Sequence, residues 1–243
     1  MKKENLVRIG VVQFQLSNSI EGNLKRIIEF TRKAIKKKIE ILCFPECALT
    51  SYITDFKKID YDKIERVMSL LRKLARKEKI NLIIGTPLKE NKRIFNGAVV
   101  LLKNGNRLNY YKQHLTELDK KYFLTGKKNL VFKVGHIKCG IAICRDQNYP
   151  QIFENYQKSG IKILFLLAAH YYPGKEAKLK LAKNKALPIV RALDNKIYIA
   201  KSNAVGRVKN KISLGNSLIV SPQGFLLKEA DQLEETILDF QLS

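Results

Sequence analysis

The stretch Gly140-Ile141-Ala142-Ile143-Cys144-Arg145-Asp146 joins an apolar run to a thiol, and a helical pattern begins at about Tyr149. A strand that passes through a short loop into a helix is one step of an α/β alternation. A thiol at the end of such a strand is held rigidly, and a backbone amide just after it can point at a developing oxyanion. A lone thiol is more often a buried structural residue, so Cys144 by itself does not establish catalysis.

A carboxylate follows a second apolar run in the segment Ile41-Leu42-Cys43-Phe44-Pro45-Glu46. Burying a charge at the end of a strand is costly unless it is paired. Burial would raise the pKa of Glu46 and suit it to proton transfer near neutral pH. An exposed carboxylate that caps the following loop is equally compatible with this segment.

An amine, Lys112, ends a third segment that is predicted to be a strand from Arg107 to Tyr111. A fixed ammonium there could stabilise the negative charge of a tetrahedral intermediate. In a chain so rich in lysine, the ordinary fate of any single lysine is a solvated surface position. Acid, amine and thiol together supply a base, a cation and a nucleophile, which acyl transfer from an amide requires.

The α/β alternation continues through the chain. The predicted strands are 7–14, 39–44, 81–85, 97–102, 107–111, 131–134, 139–143, 161–167 and 196–201, and the predicted helices are 22–38, 61–77, 149–158 and 175–193. Asn104-Gly105 indicates a hairpin, and residues 217–240 are predicted to form strands around Pro222-Gln223-Gly224. Without a linker or a repeat, the pattern predicts one mixed α/β domain over residues 1–243.

Composition and charge limit the function classes. No apolar run reaches the roughly 18 residues that cross a bilayer, and Met1-Lys2-Lys3-Glu4-Asn5 lacks the apolar core of a secretory signal. We therefore expect a cytoplasmic protein without membrane contact. The formal net charge of +24 is compatible with nucleic-acid binding. The lysines are spread along the whole chain without an aromatic-interleaved motif, so nucleic acid is not the expected partner.

Four cysteines stand at positions 43, 47, 139 and 144. They lack the spacing of a zinc site, and disulfides are not expected without a secretory route. Cys43 and Cys139 are most simply small buried hydrophobic residues. The residues therefore predict no metal.

The three segments, in this order, resemble the nitrilase or carbon–nitrogen hydrolase superfamily. Further elements of the resemblance span nearly the whole chain: Arg8-Ile9-Gly10-Val11-Val12-Gln13, Asn23, Ser51-Tyr52, Asn96-Gly97-Ala98, Phe123-Leu124-Thr125-Gly126, Arg191-Ala192, Asn195, Asn203, Gly206, Gly215-Asn216-Ser217 and Pro222-Gln223-Gly224. The resemblance implies a four-layer α-β-β-α sandwich and assembly into a homodimer or a larger homo-oligomer.

The resemblance also implies roles for the three reactive residues. Cys144 would be the nucleophile, Glu46 the general base and acid, and Lys112 the stabiliser of the oxyanion, together with the backbone N–H of Arg145. No cofactor is required. The substrate would be a small linear amide or an N-carbamoyl amine or amino acid, hydrolysed through a thioester with release of ammonia.

Other positions are less determined by the resemblance. Many family members place a glutamate after the lysine to orient it; here Asp119 aligns with that glutamate, and Glu117 is the alternative. The candidates for oxyanion or substrate binding are Arg145, Tyr52, Asp146 and His170. The run from Asp146 to Pro150 is most similar to that of N-carbamoylputrescine amidohydrolases, and Arg145 could bind a substrate carboxylate.

The alternatives are a cysteine hydrolase of another kind and a protein without catalysis. A papain-like enzyme needs a histidine partner, and nothing around Cys144 resembles a papain signature. A non-catalytic basic nucleic-acid-binding or scaffold protein on the same fold has no need for all three reactive positions.

Overall fold

Strands and helices alternate along the computed structural model, which describes residues 6–52 and 55–242. The strands are β1 Val7–Gln15, β2 Ile41–Cys43, β3 Asn81–Glu90, β4 Arg93–Leu101, β5 Arg107–Tyr111, β6 Val131–Val134, β7 Ile137–Ile143, β8 Ile163–Ala168, β9 Tyr172–Pro173, β10 Tyr198–Val208, β11 Lys211–Leu214, β12 Leu218–Val220, β13 Leu226–Glu229 and β14 Thr236–Leu242. The helices are α1 Ile20–Lys36, α2 Tyr61–Lys77, α3 Pro150–Lys158 and α4 Gly174–Asn195. The expectation about the first five residues lies outside the described ranges.

The strands form one continuous sheet that curls into two halves. The first half has the order β5-β4-β3-β2-β1, with β14 antiparallel to β1. The second half has the order β10-β8-β7-β6, and β12 and β13 extend it beyond β10. The halves are joined where the end of β1 runs parallel to β10, with Phe14 opposite Ala204.

Three hydrophobic clusters separate the layers. The first lies between the first half-sheet and helices α1 and α2, and includes Phe30 and Leu71. The second fills the space between the half-sheets, with Val11 on one side and Phe165 on the other. The third lies between the second half-sheet and α3 and α4, and includes Phe153. This confirms the four-layer α-β-β-α sandwich that the resemblance implied.

Helix α2 has the bounds that its sequence pattern predicted. Ile64, Met68 and Leu71 recur at helical spacing and are buried. The Asp60 side chain accepts a hydrogen bond from the backbone N–H of Lys63 at 2.8 Å, which caps the first turn. Among the described residues no helix has the length and apolarity to cross a bilayer.

One departure from the predicted strands is the hairpin of β3 and β4. The strand predicted to end at Gly85 continues to Glu90, and its partner begins at Arg93. Asn91 and Lys92 both have positive φ, 45° and 67°, as the two-residue turns of hairpins require. The sequence signal was missed because lysine, rather than glycine, follows the asparagine in a charged run.

Candidate active site

The three predicted catalytic residues lie just beyond strand ends. Lys112 directly follows β5, Cys144 directly follows β7, and Glu46 follows β2 after two intervening residues. Glu46 and Lys112 are both 0% exposed, and Lys112 Nζ donates to Glu46 Oε1 at 2.6 Å. A buried charge needs a partner at short distance, and this pair supplies one for each residue. The structure therefore brings the predicted acid and amine into direct contact.

Asp119 is the second partner of Lys112. Its Oδ2 lies 2.8 Å from Lys112 Nζ, and its Oδ1 accepts a hydrogen bond from the Tyr52 hydroxyl at 3.0 Å. Its own backbone N–H donates to Thr116 Oγ1 at 3.1 Å, which curls the segment back towards the lysine. This local turn makes up for the methylene that aspartate lacks relative to glutamate.

Glu117, the alternative partner predicted for Lys112, does not point towards it. Its side chain is 81% exposed and forms an ion pair with Lys120 at 2.8 Å. Glu117 and Asp119 are two residues apart on a tight turn, so only one of the two side chains can point inward.

The Glu46 carboxylate is held by two further donors. Asn96 Nδ2 donates to Oε1 at 2.8 Å, and the backbone N–H of Ala169 donates to Oε2 at 3.1 Å. Asn96 was part of the family-like motif Asn96-Gly97-Ala98, but nothing in the sequence gave it a role. With donors on both oxygens, the carboxylate has a fixed orientation.

Burial and neighbouring charges set the protonation of the cluster. Burial raises the pKa of Glu46; the Lys112 charge opposes this effect without cancelling it. Burial would lower the pKa of Lys112, but the negative charges around it, of which Glu46 contributes most, raise it well above its ordinary value. Burial also acts to raise the pKa of Asp119, but Lys112 outweighs it and the pKa is lowered. The lysine therefore stays cationic, Asp119 stays ionised and Glu46 is the carboxyl suited to exchanging a proton.

Cys144 lies at a strained point of the backbone. Its φ is +47°, in the left-handed region that residues with a side chain rarely occupy. It begins a short 3-10 turn over Cys144–Asn148 and is partly exposed, whereas Ile143 before it is fully buried. Such strain persists where the surroundings enforce it, commonly at functional sites.

The thiol of Cys144 adjoins the acid and the amine. Although the residue is partly exposed, desolvation of its sulfur raises the thiol pKa well above the ordinary value, the negative charge of Glu46 raises it further, and the charge of Lys112 opposes this. The sulfur is therefore a neutral thiol near neutral pH, and it needs a base to become a nucleophile. Among its charged neighbours, Glu46 has the largest effect on the thiol pKa, which makes this carboxylate the candidate for that base.

Asp146 was expected to bind the oxyanion or the substrate, but the structure places it inside the protein. It is fully buried, and its Oδ1 accepts from the backbone N–H groups of Gln113 and His114 at 3.2 and 2.8 Å. Its Oδ2 accepts from the Tyr110 hydroxyl and the Ile143 N–H, both at 2.9 Å. Both oxygens are thus occupied by protein donors, and the side chain ties the Cys144 turn to the loop after Lys112.

The remaining candidates lie around this cluster. Tyr52 contacts Asp119 through its hydroxyl, and Lys112 Nζ lies 5.8 Å from the centre of its ring. Arg145 is partly exposed, and its Nε is buried without a hydrogen-bond partner among the described residues. His170 is 6% exposed and lines a small cavity next to the strand end that carries Ala169.

Two residues of the second half of the chain were not among the predicted candidates. Lys201 is fully buried inside β10, and Tyr172 is part of β9. A lysine within the apolar run Tyr198-Ile199-Ala200-Lys201 was the available signal for the first. Tyr172 had no signal, because β9 is a two-residue strand that pairs only with the late β11.

Comparison with known proteins gives a family match along nearly the whole chain. The model of the carbon–nitrogen hydrolase family matches residues 8–243. The omega-amidase NIT2 of Xenopus tropicalis is 28% identical over 95% of this chain and 86% of its own. The 2-oxoglutaramate amidase of Bacillus subtilis is 26% identical over 93% of this chain and 87% of its own.

Solved structures share the fold. A cysteine-to-alanine variant of the Nesterenkonia AN1 amidase, from the nitrilase superfamily, superposes with a TM-score of 0.88 at 21% identity, covering 97% of this chain and 90% of that one. The glutamine-dependent NAD+ synthetase of Acinetobacter baumannii also gives 0.88, at 20% identity, covering 98% of this chain and 46% of that one.

Proposed function

Since the chain belongs to the carbon–nitrogen hydrolase family, as its motifs indicated, we propose that it hydrolyses the carbon–nitrogen bond of a small linear amide and releases ammonia. The observation that carries the proposal is the buried contact of Lys112 with Glu46 and Asp119, together with the strained backbone of the nearby Cys144. A buried cation between two carboxylates is costly to maintain, and acyl transfer from an amide uses each of these groups.

In the first half of the reaction, Glu46 takes the proton of the Cys144 thiol and the sulfur attacks the carbonyl carbon. The oxygen gains negative charge, which faces the Lys112 ammonium and the backbone N–H of Arg145 at the first turn after the nucleophile. The carbon–nitrogen bond then breaks as Glu46 returns the proton to the departing nitrogen. Ammonia leaves, and the acyl group remains on Cys144 as a thioester.

In the second half, Glu46 takes a proton from a water molecule, whose oxygen attacks the thioester carbon. The carbon–sulfur bond breaks, the proton returns to sulfur through Glu46, and the carboxylic acid leaves. Asp119 keeps Lys112 cationic and in place throughout, and Tyr52 positions Asp119. Asp146 acts as a positioning residue for the turn that carries Cys144.

Two relatives support a substrate of the ω-amide kind. The relative from Xenopus tropicalis is named an omega-amidase, and that from Bacillus subtilis a 2-oxoglutaramate amidase. An N-carbamoyl amine or amino acid is the other class that the sequence pattern allowed. Hydrolysis of a carbamoyl compound would release carbon dioxide as well as ammonia, which separates the two classes.

The test is a panel of ω-amides and carbamoyl compounds, assayed for ammonia and carbon dioxide, with Cys144→Ala as the control. We expect ammonia without carbon dioxide from at least one linear amide, and none above background from the variant. Equal release by the wild type and by Cys144→Ala would contradict the proposal.

The proposal extends to the domain organisation, assembly and location of the protein. We propose that residues 1–243 form a single catalytic domain that assembles as a homodimer or a larger homo-oligomer in the cytoplasm. Light scattering on the purified protein measures the assembly. The alternative of a non-catalytic basic binding or scaffold protein is not favoured. Such a protein does not require a buried acid and amine, or a thiol on a strained backbone.

A further inference from the structure

Asn96 is a fully buried amide on β4, directly beside the lysine of the candidate active site. The backbone N–H of Lys112 donates to the Asn96 carbonyl at 2.8 Å, so the two residues oppose each other at the end of the β4–β5 pairing. Opposed residues of an antiparallel pair point to the same face of a sheet. The next pair on this face, Ala98 and Tyr110, belongs to the cluster between the half-sheets. The Asn96 side chain therefore starts next to that of Lys112 and points the same way.

The neighbours of the Asn96 side chain determine the orientation of its amide. Nδ2 donates to Glu46 Oε1 at 2.8 Å and makes a longer contact of 3.4 Å with Asp119 Oδ1. Oδ1 accepts from the thiol of Cys47, with the sulfur at 3.8 Å. Ionised carboxylates only accept hydrogen bonds, so the NH₂ group of the amide must face them. One amide thus donates towards both carboxylates that contact Lys112.

Asn81 shows how a structural asparagine of the same half-sheet is bonded. It begins β3 and is 2% exposed. Its Nδ2 donates to the Glu40 carbonyl at 2.7 Å, and its Oδ1 accepts from the Lys103 backbone N–H at 3.0 Å. Those bonds join backbone segments, as most side-chain hydrogen bonds do. In the described part of the chain, the Asn96 side chain has two carboxylates and a thiol as partners instead. Its contacts therefore serve the charged cluster.

The two oxygens of Glu46 differ in how many donors they have. Oε1 accepts from Lys112 Nζ at 2.6 Å and from Asn96 Nδ2 at 2.8 Å. Oε2 accepts from the backbone N–H of Ala169 at 3.1 Å, and within residues 6–52 and 55–242 it has no second donor. Each carboxylate oxygen offers two lone-pair positions. Oε1 is therefore fully occupied, and Oε2 keeps one position for a proton.

A neutral donor suits the position of Asn96 better than a second cation would. Burial has the largest effect on the pKa of Glu46 and raises it, while the charge of Lys112 and the hydrogen bond from Asn96 are among the effects that lower it. A full positive charge in place of the amide would favour the ionised carboxylate more strongly. A base that must take up and return a proton works best when neither form is strongly favoured. The amide orients the carboxylate and leaves it able to exchange a proton.

We propose, on the basis of the amide hydrolysis proposed above, that Asn96 is a positioning residue that occupies Oε1 of Glu46 together with Lys112 and so directs proton transfer to Oε2. In the first half of the reaction, the thiol proton of Cys144 moves to Oε2, and Oε2 passes it to the departing nitrogen. In the second half, a proton of the attacking water moves to Oε2 and then to the sulfur. Oε1 keeps its bond to the ammonium throughout, so the cation that meets the oxyanion stays in place while the proton moves.

The test compares Asn96→Leu, which nearly keeps the size of the side chain and removes its donors, with Asn81→Leu as the matched control. The pH profiles of kcat and kcat/KM are measured with the linear amide that the wild type hydrolyses fastest. In Asn96→Leu, kcat/KM at the optimum should fall by about 10- to 100-fold, mainly through kcat. The midpoint of the acid-side decline should move to higher pH, because the ionised carboxylate has lost a donor.

The control separates positioning from a structural role. Asn81→Leu should lower the Tm and leave the acid-side midpoint where it is in the wild type, because Asn81 bonds only to backbone groups. An unchanged midpoint in Asn96→Leu, or an equal shift in Asn81→Leu, would overturn the positioning role while leaving the hydrolysis in place. Failure of the wild type on every amide, with Cys144→Ala indistinguishable from it, would overturn the proposed function and the positioning role together.

A measurement on the wild type covers the case in which Asn96→Leu does not fold. In a crystal structure at atomic resolution, with the pH below the acid-side midpoint, the carbon–oxygen bond to the protonated oxygen of Glu46 is the longer of the two. We expect the longer bond at the oxygen that faces the Ala169 N–H. Equal bonds, or a longer bond at the oxygen shared by Lys112 and Asn96, would overturn the assignment of the proton to Oε2.

Discussion

At the scale of single residues, the site depends on the shared burial of Lys112, Glu46 and Asp119. Each carboxylate contacts the same ammonium, at 2.6 and 2.8 Å. Removing one partner of a buried charge leaves the others uncompensated, which costs far more than the pair contributes. The two carboxylates differ in their readiness to take up a proton, because the pKa of Glu46 is raised and that of Asp119 is lowered.

Asp119→Asn should therefore lower kcat, because Lys112 loses a charged partner. Glu117→Gln should leave kcat unchanged. The first change removes a charge that holds the oxyanion-stabilising Lys112 in place, so kcat should fall by roughly 100-fold. The second changes an exposed residue that contacts only Lys120. Steady-state ammonia assays on the two variants measure this. A larger loss in Glu117→Gln than in Asp119→Asn would reverse the assignment.

The pH dependence should report the raised pKa of Glu46. The carboxylate must be ionised to take the thiol proton, so kcat/KM should fall as the pH falls through its pKa. Because burial raises that pKa, the decline should begin at a higher pH than for an ordinary glutamate, near 4.3. A kcat/KM profile from pH 4 to 9 measures this. A profile that declines only at or below the pKa of an ordinary glutamate would contradict the role of Glu46 as base.

The reactive residues at the strand ends could be predicted from the sequence, whereas the hydrogen bonds that hold the site together could not. Glu46, Lys112 and Cys144 stand out because each ends an apolar segment and matches a family motif. The bonds of Asp146 to residues 110–114 and 143 depend on two loops meeting, which no local pattern encodes. Lys201 was missed for the same reason, since its acceptors lie on α4 and in the loop before β12.

At the scale of elements, helices were easier to predict than hairpins. Helix α2 has a regular apolar spacing and a capping aspartate, and its predicted bounds match. The β3–β4 hairpin and the short strands β9 and β11 have no such signal, because their turns or lengths are atypical. The strand predicted at 39–44 is shorter in the structure, with Phe44 and Pro45 leading out of the ladder towards Glu46.

Two adjacent leucines of α2 test the assignment of its buried face. Leu71 is 0% exposed and Leu70 is 47% exposed. Leu71→Ala should lower the free energy of unfolding by about 2–5 kcal/mol through lost burial and the cavity it leaves. Leu70→Ala should change it by less than about 0.5 kcal/mol. Urea unfolding of both variants measures the difference, and similar effects would show that the helix face is wrongly assigned.

At the scale of the whole molecule, the net charge of +24 is a surface property. Apart from the buried Lys112 and Lys201, the described lysines reach solvent, and many form exposed ion pairs such as Lys33 with Glu29. Exposed pairs contribute little to stability, and their effects are screened by salt. The charge therefore concerns solubility and encounter with anions rather than the fold.

A short DNA duplex should accordingly bind only weakly. We expect retention on a DNA column at 20 mM salt that disappears by about 200 mM, and no change in amidase activity when the duplex is added at 150 mM. Binding that persists at 500 mM salt would indicate a specific nucleic-acid site and contradict this interpretation of the charge.

The central claim is that the sulfur of Cys144 carries the acyl group of an amide substrate. Rapid acid quenching of the enzyme during turnover, followed by peptide mass spectrometry, measures this directly. We expect a mass increase equal to the acyl group on the peptide that contains Cys144, and no such increase in Cys144→Ala. Turnover with no acylated Cys144, or with the acyl group on another residue, would contradict it.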